Sequence, residues 1–169
     1  MSNNSSILNT ILLNTILIII WHLIVLWFSI KLDVNFFNPN RKIYIKHSWE
    51  QDGKFYINIL KIKNWKDKLP QYIAKNGFSK RSINIRYDKE YIERFILETC
   101  RAEWNHTMNC MYFIISLYVN SFFYAVFFSI IPVIANLPFI FIQRFNRIRL
   151  IKFAEKTYGS TSFVPLNKN

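Results

Sequence analysis

The densest grouping of chemically capable side chains is ETCRAEWNH, running from Glu98 to His106. Glu103 and His106 stand three residues apart, as do Glu98 and Arg101, so on a helix each pair shares a face. A carboxylate beside an imidazole fixes the ring's tautomer and raises its basicity, which is what deprotonating a hydroxyl nucleophile requires. The same side chains would also serve as an interfacial ion-pair cluster that ends a helix. Residue types alone leave both readings open.

A second grouping is IANLPFIFIQRFNRIRL, Ile134 to Leu150, in which Asn136 lies two residues before Pro138 and Gln143, Arg144, Asn146, Arg147 and Arg149 crowd one end. Guanidinium groups bind phosphate or carboxylate through paired donors, while a cationic stop that ends a transmembrane helix at anionic headgroups has the same composition. His22 lies inside a long apolar run, where a polar side chain is a functional candidate by default, although it could equally donate to a backbone carbonyl. Trp49, Trp65 and Trp104 fit interface anchors. Cys100 and Cys110 are ten apart, on different faces of a helix and too distant to bridge. His22, His47 and His106 are scattered, so no metal site is indicated, and no cofactor motif is present. The glycosylation triplets at Asn4 and Asn105 are short enough to arise by chance.

The elements that must position these groups are mostly apolar helices. Ile7 to Ile30 is a run of 24 residues without Asp, Glu, Lys or Arg, and about 20 suffice to cross the hydrocarbon. It reads as a transmembrane helix. A cleaved signal peptide would carry a cationic start, a shorter apolar core and a small-residue cleavage site. Residues 31–101 carry 16 Lys+Arg against 8 acids, with aromatic residues throughout. Such a segment is too charged for lipid and too aromatic for a disordered linker, so it is expected at the membrane surface. Alternation in KIYIKHSW and KFYINILKIK hints at short strands or an irregular interfacial layer. Pro70, Asn76 and Gly77 mark turns, and helical spacing begins near Asp88. About 40 apolar residues then follow, enough for two spans, 102–120 and 122–143, with a turn near Asn120 and Ser121. Pro132 and Pro138 are expected to break the second of these locally. A basic tail, 144–169, closes the chain.

The expected fold is therefore a mainly α integral membrane protein of about three transmembrane helices, one N-terminal and then a C-terminal hairpin, with the basic segment between them. An excess of 22 Lys+Arg over 10 Asp+Glu would in a soluble chain suggest nucleic acid. Here charged and apolar residues fall in separate blocks, and no nucleic-acid motif appears. The first six residues carry no Lys or Arg, so the positive-inside rule puts the N-terminus outside the cell membrane and both the basic segment and the tail in the cytoplasm.

The blocks EQDGKFY, NWKDKLP, ETCRAEWNH and IANLPFIFIQRFNRIRL, in this order and spacing, resemble the glycosyl-4,4'-diaponeurosporenoate acyltransferases of the staphyloxanthin pathway. The likeness runs from about Glu50 to Leu150. It implies a small multi-pass membrane enzyme that moves a fatty acyl chain onto the sugar of a glycosylated carotenoid, or onto a hydroxyl or amine of another lipid-linked acceptor such as a glycolipid or lipoprotein. The family positions fall on Trp65, Leu69, Pro70, Glu98, Arg101, Glu103, His106, Asn136, Pro138, Gln143, Arg144, Asn146 and Arg149. The pattern is departed from at Thr107 and Ile148, where the carotenoid enzyme has tryptophan and proline. On the leading reading His106 is the base, Glu103 orients it, and Arg101 with Arg144 holds the acyl donor or developing oxyanion. Arg144, Asn146, Arg147, Asn136, Gln143, Trp65 and Glu98 then bind substrate. No nucleophilic Ser or Cys is placed by motif, so direct transfer is favoured, with Cys100 as the thiol nearest to contest it. The rival expectation is a non-catalytic accessory or scaffold subunit that binds lipid or a partner membrane enzyme through the basic segment.

Overall fold

The computed structural model describes residues 2–69 and 89–159. The expected turns at Pro70, Asn76 and Gly77 lie outside the described residues, as does the end of the basic tail. The order is helix α1 (Ser2–Lys31), short 3-10 turns at Val34–Phe37 and Ser48–Gly53, helix α2 (Lys54–Asn58), 3-10 turns at Ile62–Asn64 and Lys66–Lys68, then helices α3 (Lys89–Cys110), α4 (Phe113–Val119) and α5 (Phe122–Tyr158). No strand occurs among the described residues. The stretches whose alternation suggested strands adopt turns, 3-10 helix and the short α2 instead. Alternation is a strand signal only when a neighbouring strand satisfies the backbone, and the described residues supply none.

Among the described residues two helices are long and apolar enough to cross a membrane, Ser6–Lys31 and Phe122–Tyr158. The apolar run 102–120 is divided between the end of α3 and α4. At the join, the amides of Met111 and Tyr112 bond to the carbonyls of Met108 and Asn109, three residues back. That is the tighter 3-10 pattern, which turns the chain before α4 resumes. Asn120, in extended conformation, then separates α4 from α5.

The expected break at the prolines does not occur, because α5 runs unbroken through Pro132 and Pro138. Proline removes one amide donor and with it the helical partner of the carbonyl four residues earlier, yet the residues on either side of both prolines keep helical conformation. At about 1.5 Å per residue, α5's 37 residues reach well past a ~30 Å hydrocarbon layer. Gly159, at φ +80, ends it in the left-handed conformation that glycine adopts most readily.

The chain divides into two compact units. The first comprises 1–32 and 103–140, the second 33–102 and 141–169. In the first, α1 presents a buried stripe at Asn14, Val25 and Ser29, and most of its other apolar side chains, Leu8, Leu12, Leu23 and Ile30 among them, are exposed. Helix α5 likewise exposes Phe122, Phe123, Phe127 and Ile134. Unpartnered apolar surface on helices of this length is what a lipid solvent requires.

The second unit has two small cores. In one, Ile92, Phe95 and Ile96 of α3 pack with Leu150 and Ala154 of α5. In the other, Tyr56 and Ile62 pack with Phe145 and Ile148, with Trp65 half-buried against them. Between Glu50 and α2 the chain turns through three consecutive positive φ angles at Gln51, Asp52 and Gly53. Only at Gly53 is that cheap.

Candidate functional site

In the first unit, α1, α3 and α5 converge on the amide of Asn136, which is 5% exposed. Its Nδ2 donates to the Pro132 carbonyl at 2.8 Å and faces Nε2 of His22 at 3.4 Å. Its Oδ1 lies 2.8 Å from Nδ1 of His106 and 3.4 Å from Nδ2 of Asn109. Because a carbonyl oxygen only accepts, Pro132 settles which end of the amide is nitrogen. All four hydrogen-bonding positions of Asn136 are thereby used.

The tautomers of both histidines follow from the same logic. Nδ1 of His106 meets an oxygen that only accepts, so Nδ1 carries the proton and Nε2 is the nitrogen able to take one up. Nδ1 of His22 lies 2.8 Å from the Ile18 carbonyl, so it too is protonated, and His22 Nε2 receives the Asn136 amide. His106 is half-buried and stacks on Phe139 at 4.9 Å and 10°, which fixes the ring plane. Glu103 is buried one helical turn before it. Asn109 Nδ2 also donates to Asn105 at 3.2 Å, while its Oδ1 is buried without a hydrogen-bond partner.

A second polar cluster lies in the same unit. Asn14 and Asn120 exchange reciprocal amide bonds of 2.9 Å, Tyr112 donates to Asn14 at 3.0 Å, and Trp21 donates to the Met108 carbonyl at 3.0 Å. These bonds tie α1 to the bend after α3 and to the gap between α4 and α5, supplying partners where lipid supplies none.

The second unit has a different polar centre. Arg144 donates through Nε and Nη2 to the two oxygens of Glu50 at 2.9 and 2.8 Å, and also to the carbonyls of Ile43 and Ile45 at 3.2 and 3.1 Å. Glu50, fully buried, further accepts from the Tyr56 hydroxyl at 2.5 Å and the His47 amide at 2.6 Å. Burial pushes the Glu50 carboxyl up, but the hydrogen bonds from Arg144, His47 and Tyr56 outweigh it and hold the group below its ordinary range. Burial and the bond to Glu50 push the Tyr56 hydroxyl far up. Arg147, 2% exposed, donates to the Tyr44 carbonyl at 3.1 Å and lies over the Tyr44 ring. Both arginines therefore clamp the loop before α2 onto α5.

Of the other expected residues, Arg101 and Glu98 are brought together at 2.7 Å, with Arg101 over the Phe37 ring and its Nε without a hydrogen-bond partner. Trp65 donates to the Leu60 carbonyl at 2.8 Å as part of the second core. Gln143 is buried with its Oε1 unpartnered, and Asn146 is half-buried. Cys100 is fully buried and Cys110 partly so, neither in a disulfide. Among the described residues no group of side chains could hold a metal.

Reading the sequence missed Glu50, Tyr56, Asn14 and Asn109. The signal for Glu50 was present, since it opens one of the four resembling blocks. Asn14 is an amide in an apolar span, as open to suspicion as His22.

The family model for glycosyl-4,4'-diaponeurosporenoate acyltransferases matches residues 40–156. The enzyme of that name from Staphylococcus aureus strain bovine RF122 / ET3-1 is 27% identical over 142 residues, covering 73% of this chain and 81% of the relative. That of strain MRSA252 is 28% identical over 143 residues, with the same coverage. No solved structure matches.

Proposed function

Because the chain belongs to the glycosyl-4,4'-diaponeurosporenoate acyltransferase family, we propose that it is a membrane acyltransferase that esterifies a sugar hydroxyl of a glycosylated carotenoid acid, with His106 as the base. The hydroxyl oxygen attacks the carbonyl carbon of the fatty acyl donor while His106 Nε2 takes its proton. The bond from acyl carbon to the donor's carrier then breaks, and the departing carrier receives the proton. A base of this kind typically contributes on the order of 10²–10⁴ in rate.

The observation that carries this reading is the bond from His106 Nδ1 to Asn136, which leaves the proton-accepting nitrogen on the other side of the ring. The complete burial of Cys100 favours direct transfer over a thioester intermediate. Arg101, with an unpartnered Nε, remains the arginine we assign to an anionic group of the donor, whereas Arg144 is assigned to Glu50.

The membrane arrangement belongs to the same proposal. Three passes, formed by α1, the end of α3 with α4, and the first half of α5, put the N-terminus outside and the basic segment inside, as the loop charges direct. A single cysteine placed at residue 60 should be shielded from an impermeant thiol reagent in intact cells, and one at residue 3 labelled. Labelling at 60 would reverse the orientation.

Expression in cells that make glycosyl-4,4'-diaponeurosporenoate but lack its acyltransferase tests the activity. Mass spectrometry of the extracted lipids should show a new fatty ester of the carotenoid glycoside. Its absence with the protein present in the membrane would defeat the proposal.

A further inference from the structure

His22 lies outside the matched family region, 40–156, on a helix that would otherwise pass for an anchor, yet its ring faces the same amide that holds His106. We propose that Asn136 and His22 are positioning residues acting in series on the base: Asn136 keeps the His106 proton on Nδ1, and His22 fixes which way the Asn136 amide faces. The proposal rests on His106 being the base.

An asparagine side chain rotated end for end would present its NH2 to His106. The ring would then have to turn or carry its proton on Nε2, where it could no longer accept one from a substrate hydroxyl. Two partners oppose that rotation. The Pro132 carbonyl accepts one Nδ2 hydrogen, and His22 Nε2 accepts the other. His22 can accept only because its own proton is committed to the Ile18 carbonyl at Nδ1. The chain of donors therefore reads from His106 through Asn136 and His22 to the accepting Ile18 carbonyl, each member admitting a single orientation. A consequence is that α1 belongs to the reaction site as well as to the membrane anchor.

The test begins with the wild-type protein, 15N-labelled at its three histidines and reconstituted in lipid bilayers. Solid-state NMR at neutral pH distinguishes protonated from unprotonated ring nitrogens, and His→Gln substitutions assign the signals. The expected result is Nδ1–H at both His22 and His106. A proton on Nε2 of His106 would overturn the inference whatever the activity of the enzyme.

Variants give the second arm. His22→Leu removes the acceptor and should populate Nε2–H at His106, lowering kcat by roughly tenfold with KM little changed, as a misdirected group near the reacting atoms does. His22→Gln can still accept through its amide oxygen and should recover most of that loss. Equal loss in both, with the His106 tautomer unchanged, would reduce His22 to a packing residue. Full activity in His106→Ala would instead defeat the assignment of the base, while the tautomer measurement would still stand.

Discussion

The two units bury polar groups in opposite ways. Around Asn136 the partners are amides and imidazoles, all neutral, and the chain of bonds ends on a ring whose second nitrogen can accept a proton. Around Arg144 the partners are a guanidinium and a carboxylate, with a hydroxyl and backbone groups completing both. An ion pair is tolerable only where each charge is matched and its remaining hydrogen-bonding positions are filled, and the Glu50 site meets that condition. This pair holds the loop before α2 to α5. The network around Asn136 is asymmetric and ends on a ring nitrogen able to take up a proton, whereas the Glu50 carboxylate accepts four hydrogen bonds. The proposed base therefore lies in the first unit, and the ion pair that holds the loop before α2 lies in the second.

The largest expected effect breaks this comparison at the first unit. His106→Ala should lower ester formation by about 10²–10⁴ while leaving the protein inserted and abundant, since a half-buried ring on a helix held by other contacts is lost. Immunoblotting of membranes beside the lipid assay checks it. A matching fall in protein level would turn His106 into a structural residue.

Next in size is the opposite pattern at the second unit. Arg144→Leu leaves Glu50 buried and uncompensated, a change that typically costs about 3–5 kcal/mol, and should reduce protein level and protease resistance together with activity. Arg144→Lys keeps the charge without the two-pronged geometry and should fall between the two. The double variant Glu50→Leu with Arg144→Leu should recover part of the lost stability, because no unpaired charge remains. If instead Arg144→Lys loses activity at full stability, the arginine serves the substrate as well as the loop.

How much of this could be read from the sequence differs between local and long-range features. Helix α1 was legible because an uncharged apolar run of that length has few other uses, and the gap at Asn120 because two spans need a turn between them. The irregular basic layer was expected, though not its helical turns, since alternation without a partner strand settles little. Helical spacing showed that His106 shares a face with Glu103, but spacing along one helix says nothing of what another helix presents to it. Asn136 lies 30 residues from His106 and His22 lies 114 from Asn136, and Arg144 is 94 from Glu50. Composition therefore left Arg144 and Arg147 open between an anion clamp and a cationic stop, because their partners are contributed by a loop that no periodicity predicts.

A smaller effect sharpens the assignment within the first unit. Glu103→Gln keeps a hydrogen-bonding side chain of the same shape but cannot stabilise a protonated imidazole during transfer, so activity should fall by roughly tenfold rather than vanish. Measured at equal protein level, wild-type rates would remove Glu103 from the mechanism and leave Asn136 as the group that orients the base. A loss as deep as that of His106→Ala would make the carboxylate an equal partner of the ring.

The smallest effect concerns acid, and it separates an ionic centre from a neutral one. Glu50 is held below its ordinary value of 4.5 in the folded protein, so the folded state binds fewer protons there than the unfolded state as the pH falls. By linkage, the contribution of this carboxylate is complete above the unfolded value and is lost as the pH drops from there through the folded one. Limited proteolysis of bilayer-reconstituted protein should therefore show the loop 33–69 becoming cleavable on acidification below about 4.5, the ordinary value of this group. Glu50→Gln should be less protected at neutral pH and flatter through that range, since it has no proton to gain. Tyr56 adds nothing to this window, because its raised value moves its titration further into the alkaline range. An acid profile unchanged by Glu50→Gln would show that the Arg144 pair does not set the stability of this unit, and the contrast with the neutral network would lose its energetic basis.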